Sequence, residues 1–192
     1  LSSPGESGRP INQLNQGTSY YNRLLFSITK GKELAIKSGK TFEVPVLFWV
    51  QGESDLNDTQ AEYYALLAQL FIDLNTDIKA ITGQIEDVKF ITYQTSPLHN
   101  TQGYTNSGSS FAQVQLALED NNVHGALAMY QFEYGDVLHP SDRAVIGMQM
   151  GLYAKRLINN NEAKPVFYPT GHKIYSDNGN FILSIEFDVP YA

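Results

Sequence analysis

The sharpest break between apolar and polar positions falls in Val44 to Asp55, V-P-V-L-F-W-V-Q-G-E-S-D. Six of the seven residues from Val44 to Val50 are apolar and several are β-branched or aromatic, which predicts a strand buried on both faces of a parallel sheet. Gln51, Gly52, Glu53, Ser54 and Asp55 then arrive together at its carboxyl end, where open α/β sheets bind their ligands. A plain strand-to-helix turn accounts for the same residues, with Gly52 for φ freedom and Ser54 or Asp55 as helix-start chemistry.

The remaining pattern alternates helix and strand. Leu1 to Gly17, rich in Ser, Gly, Pro and Asn, carries no period and reads as loop. From Thr18 to about Lys37, Tyr21, Leu24, Leu25, Ile28, Leu34 and Ala35 recur at mostly helical spacing, interrupted by Gly31. Thr59-x-x-Glu62 is a capping box opening a helix with Tyr63, Leu67, Leu70, Phe71, Leu74 and Ile78 on one face. Val88 to Gln94 predicts a second buried strand, and Thr95 to Ser109 a polar loop long enough to be functional. Ser110-x-x-Gln113 reads as another capping box, with Phe111, Val114, Leu118 and Ala117 toward the core. A third strand follows at Val123 to Tyr130, a loop at Gln131 to Pro140, and a helix at Ser141 to Asn159 with Val145, Met148 and Leu152 on one face. After Asn161 come short strands around Asp177-Asn178-Gly179, a hairpin turn. The order implies an α/β domain over 1–161 with a parallel sheet and helices on both faces, then a β-rich extension or the start of a second module over 162–192.

Composition narrows the chemistry. The 192 residues, 42% hydrophobic, suffice for one substantial core. A net charge of -7 gives no electrostatic reason for nucleic acid or an anionic membrane as partner, and suits a neutral or weakly polar ligand. No apolar run is long enough to span a bilayer. With no cysteine there is no disulfide, thiolate metal site or cysteine nucleophile. The histidines, His99, His124, His139 and His172, lack ligand spacing, so neither metal nor cofactor is expected. Phosphate-binding glycine motifs are missing too.

A second constellation is Asp136-Val137-Leu138-His139-Pro140. A carboxylate three residues before a histidine can accept its imidazole N–H, fix the tautomer and stabilise the imidazolium of a general base. Pro140 in a first helical turn would set His139 beside a positive helix end, which opposes protonation. A surface turn in which both residues only cap a helix fits the same pattern.

W-V-Q-G-E-S-D followed by D-V-L-H-P, each at the carboxyl end of an expected strand, resembles the SGNH hydrolases, and within them the sialate O-acetylesterase-like carbohydrate esterases. The resemblance spans roughly Gly5 to Leu157. It implies a three-layer α/β/α sandwich of flavodoxin-like type and serine attack on an acetyl ester, with an O-acetylated sugar or polysaccharide as substrate. By position it makes His139 the general base, Asp136 its orienting acid, Gln51 an oxyanion-hole donor and Glu53 the supporting glutamate. Pro4-Gly5-Glu6-Ser7-Gly8 resembles the family's second block, which makes Gly5 an oxyanion contact, and Tyr104 is the loop aromatic placed to meet sugar. The family nucleophile lies in a G-x-S segment after a strand that would precede Leu1, so the resemblance implies the carboxyl part of a longer or divided esterase. An upstream segment or second chain would then carry the serine, and Ser7 is the candidate within this chain. The competing class is a non-catalytic glycan-binding or structural domain of a viral tail or adhesin. Either reading suits an extracellular or virion-associated setting.

Overall fold

A computed structural model describes residues 4–95, 108–129, 143–160 and 168–188. Helix α1 covers Ser19–Lys37, strand β1 Val46–Trp49, α2 Gln60–Thr82, β2 Lys89–Gln94, α3 Gly108–Glu119, β3 Val123–Ala128 and α4 Arg143–Asn160. Strands β4 (Tyr168–Asp177) and β5 (Asn180–Asp188) follow. The first three strands form one parallel sheet in the order β1-β2-β3, with Val46 opposite Lys89 and Phe90 opposite Val123.

Successive strand residues face opposite ways, and two cores result. On one face Leu47, Trp49, Phe90 and Val123 join α1, α2 and α3 through Tyr21, Ile28, Leu67, Leu70, Phe71, Ala112 and Leu116. Phe71 stacks on Phe90 with centroids 4.3 Å apart, and Trp49 meets Phe71 edge-on at 6.0 Å. On the other face Ile91, Tyr93 and Leu127 pack against Ile146, Met150, Tyr153 and Leu157 of α4. The expected three-layer α/β/α sandwich is therefore present, with short antiparallel strands after it.

Local signals explain the boundaries. Thr59 and Glu62 close the capping box of α2 in both directions, and Gly83 ends the helix at φ 79°. Thr18 caps α1 by accepting from the Tyr21 N–H. Gly31, a weak helix former, leaves the room that the Phe42 ring fills, since a Cβ there would lie 2.7 Å from it.

Several expectations need correction. Strand β1 has four residues, and it is not buried on both faces: Phe48 is 40% exposed and Val50 59%. The α4 layer lies over β2 and β3 and reaches only Val46 of β1. Leu34, Met148 and Leu152 point outward, and α4 buries Ile146, Met150, Tyr153, Ala154 and Leu157 instead. In α3 Phe111 and Leu118 are exposed, while Ser109, Ser110, Ala112, Gln113 and Leu116 are buried. Polar side chains occupy that inner face because α3 starts against the polar ends of the strands.

Strands β4 and β5 make a separate hairpin closed by Asn178 (φ 50°) and Gly179 (φ 82°), as the Asn-Gly signal predicts. Directly paired residues share a face. Ile174 with Leu183, Ser176 with Phe181 and His172 with Ile185 therefore give one largely apolar surface, on which Phe181 is 86% exposed.

Candidate active site

The carboxyl ends of β1 and β2 meet the start of α3 and the loop before α1, and Gln51 and Asp55 turn inward there while Ser54 stays exposed. Gln51 is buried. Its Oε1 accepts from the Tyr63 hydroxyl at 2.7 Å, while its Nε2 donates to the Arg9 carbonyl at 3.1 Å and to the Asp55 carboxylate. Burial pushes the Tyr63 phenol up, which keeps it a donor.

The backbone around Gln51 is held equally closely. Gln113 Nε2 donates to the Gln51 carbonyl at 2.6 Å, and Gln113 Oε1 accepts from the Thr95 N–H at 2.8 Å. Ser109 Oγ donates to the Gly52 carbonyl and Ser110 Oγ to the Thr95 carbonyl. Ser110 and Gln113 thus span from α3 to both strand ends rather than closing the expected capping box. Gly52 sits at φ 138°, where a Cβ would lie 2.7 Å from both Gln113 Nε2 and Thr95 Cγ2. Only glycine fits this crossing.

Glu53 opens a short 3-10 turn, Glu53–Asp55, and its Oε1 accepts from the hydroxyl of Tyr93, a buried residue of β2. Asp55 ends the turn with its side chain inside the protein, accepting from the Ile11 N–H through both oxygens at 3.0 and 3.2 Å. Burial raises its carboxyl above the ordinary range against the hydrogen bonds from Ile11 and Gln51, and Asp58 and Glu53 push the same way.

The loop before α1 runs from Pro4 past the site, and Ile11 is its buried anchor. Gly5 and Ser7 are exposed on it. Arg23 of α1 donates to the Gly5 carbonyl at 2.9 Å and pairs with Glu6 at 3.1 Å, while Arg9 and Arg23 both lie over the Tyr20 ring. The structure thus brings Gln51, Glu53 and the Arg9–Ile11 part of the loop together. Asp136, His139 and Tyr104 lie outside the described residues, as do residues 96–107 of the loop expected over Thr95 to Ser109, whose last two residues, Gly108 and Ser109, belong to α3 instead.

Sequence reasoning missed Asp55 and Gln113. Asp55 carried the signal of a helix start, and Gln113 matched a capping box. Neither pattern distinguishes a residue that solvates its own helix end from one that reaches a backbone group 44 or 62 positions away.

This is a parallel α/β sandwich whose polar centre stands, preorganised by hydrogen bonds, at the carboxyl edge of its sheet. A family model described as carbohydrate esterase, sialic acid-specific acetylesterase, matches residues 4–155, and the chain belongs to that family. The match covers the loop before α1, the Gln51–Asp55 turn and the Asp136-x-x-His139 segment together. Membership supports an esterase acting on carbohydrate acetyl groups. No curated protein and no solved structure matches the chain.

Proposed function

We propose that this chain supplies the general base, its orienting carboxylate and part of the oxyanion hole of an SGNH-type serine O-acetylesterase acting on an acetylated sugar or polysaccharide. The observation that carries the reading is the family match across residues 4–155, which joins the Gln51 turn to Asp136 and His139. In this reading Asp136 accepts from one imidazole nitrogen of His139, and the other takes the proton of a serine hydroxyl as the serine oxygen bonds to the acetyl carbon. The carbonyl electrons move to its oxygen, and the oxyanion is met by Gln51 and the second-block backbone around Gly5. Collapse breaks the bond to the sugar oxygen, which leaves with the proton from His139. Water, deprotonated by His139, then releases acetate and restores the serine.

Gln51 can serve in this way because its two amide hydrogens differ. One goes to a carboxylate and the other to a neutral backbone carbonyl at 3.1 Å, and the second is the weaker contact to exchange for an oxyanion. Glu53, held by Tyr93, supports the turn, and Tyr104 offers an aromatic face to the sugar. The serine comes from a segment upstream of Leu1 or from a second chain. Among the described residues β1 ends the sheet and pairs with β2 on one side, and its other edge supports an added strand there.

The test is hydrolysis of p-nitrophenyl acetate by this chain, alone and with the upstream segment, beside His139→Ala and Ser7→Ala. Turnover that needs the added segment and is lost in His139→Ala supports the divided esterase. Turnover by the chain alone that is lost in both variants assigns the nucleophile to Ser7. A second reading, a glycan-binding or structural domain of a tail or adhesin, draws on the exposed apolar face of the β4–β5 hairpin. Inactivity with the segment present, together with binding of acetylated glycan, would replace the esterase reading with this one.

A further inference from the structure

We infer that Asp55 is a positioning residue of this site: its buried carboxylate fixes the orientation of the Gln51 side-chain amide and fastens the loop before α1 to the end of β1. The inference rests on the esterase reading and gives one more residue a part in it. Asp55 is 4% exposed, and the Ile11 N–H and Gln51 Nε2 both donate to its carboxylate.

The Gln51 amide could in principle sit in either of two flipped orientations. Tyr63 donates to Oε1 from one side and Asp55 accepts from Nε2 on the other, so a flip would set a carbonyl oxygen against a carboxylate and an NH2 against a hydroxyl hydrogen. The orientation is thereby unique, and the remaining amide hydrogen points at the Arg9 carbonyl, on the loop that carries Gly5. The same carboxylate reaches that loop two residues on, at Ile11, which is fully buried. One group thus sets both the donor on the strand end and the loop facing it.

A neutral amide cannot replace it. The Ile11 N–H lies within reach of both carboxylate oxygens, so the NH2 of an asparagine would meet a donor wherever it turned. Burying a charge beside Glu53 and Asp58 is costly, and an acceptor-only group is what these two donors require.

Asp55→Asn keeps the side-chain volume and tests the inference. With the upstream segment present, its kcat on p-nitrophenyl acetate should fall roughly tenfold to a hundredfold, less than the ~10²–10³ typical of removing a donor outright. KM should stay within about twofold, because the loss falls on the transition state. In a Gln51→Leu background the same change should cost clearly less kcat than it does in the wild type, since only the Ile11 contact to the loop is then left for it to break. Undiminished kcat, or an equal loss with and without Gln51, overturns the inference and leaves the esterase reading intact. A wild-type chain that hydrolyses nothing even with the segment sinks the esterase reading. The Gln51 side-chain amide resonances then decide: a shift of both protons in Asp55→Asn supports the anchoring, and unchanged resonances overturn it. Should Asp55→Asn not fold, slow hydrogen exchange at the Ile11 amide of the wild type supports the inference and rapid exchange refutes it.

Discussion

Gly52 is the residue through which the site is held closed from behind. Its φ of 138° is one that L side chains rarely adopt, and the space a methyl would need is taken by Gln113 and Thr95. Gly52→Ala therefore adds backbone strain to overpacking, at a combined cost of about 2–4 kcal/mol. A thermal melt should register it as a fall of roughly 5–15 °C, and an unchanged melting temperature would mean that the crossing is looser than its distances indicate. Gly52 and Gln51 were legible as site residues because a buried strand broke into polar residues at one point. Asp55 was not. Its partner Ile11 belongs to a loop without periodicity, and a long-range hydrogen bond to a backbone N–H leaves no trace in local spacing.

Among the elements, α3 most directly couples the two site-bearing strands. Gln113 is 1% exposed and bridges the Thr95 N–H and the Gln51 carbonyl, two backbone groups left over where the ladder ends. Gln113→Leu fits the volume but abandons both, and each buried unpaired group costs about 1–3 kcal/mol. Urea unfolding should show a loss on the order of 2–4 kcal/mol with the slope unchanged, and turnover should fall as Gln51 loses its support. A loss under about 1 kcal/mol would mean that water takes over both contacts. Element types were readable wherever a period ran long, as in α2, or a turn had distinctive chemistry, as at Asn178-Gly179. The inward faces of α3 and α4 were not. In α3 the buried side is polar because it meets strand ends, so an apolar count selects the opposite side. In α4, apolar residues occur all round and the period does not choose among them.

Across the whole molecule the layers were predictable from the order of strands and helices, because each helix must cover a face of the sheet that connects it. The coverage of each strand was not, and β1 is the case in point: its sequence is apolar throughout while the α4 layer stops short of Phe48 and Val50. Acid stability is a property of that same α4 side. His124 of β3 lies 6.1 Å from the Tyr153 ring of α4, and burial together with the nearby Lys89 pushes its imidazole down to about 4, with Asp120 opposing. The unfolded chain takes up this proton near pH 6.5 and the folded one only near 4. More protons are then bound by the unfolded state between those values, so this stabilising contribution is complete above about 6.5 and drains away as pH falls toward 4. Asp55 works in the opposite sense, since a raised carboxyl favours the native state at low pH and its contribution fades as pH rises through its native value. The balance can be read from melting temperatures between pH 7.5 and 4.5 for wild type and His124→Gln. The wild type should lose stability steadily over that window, and the variant should lose measurably less. Parallel curves would show that His124 is protonated in the folded protein as readily as in the unfolded chain, and that the acid sensitivity of the α4 layer has another origin.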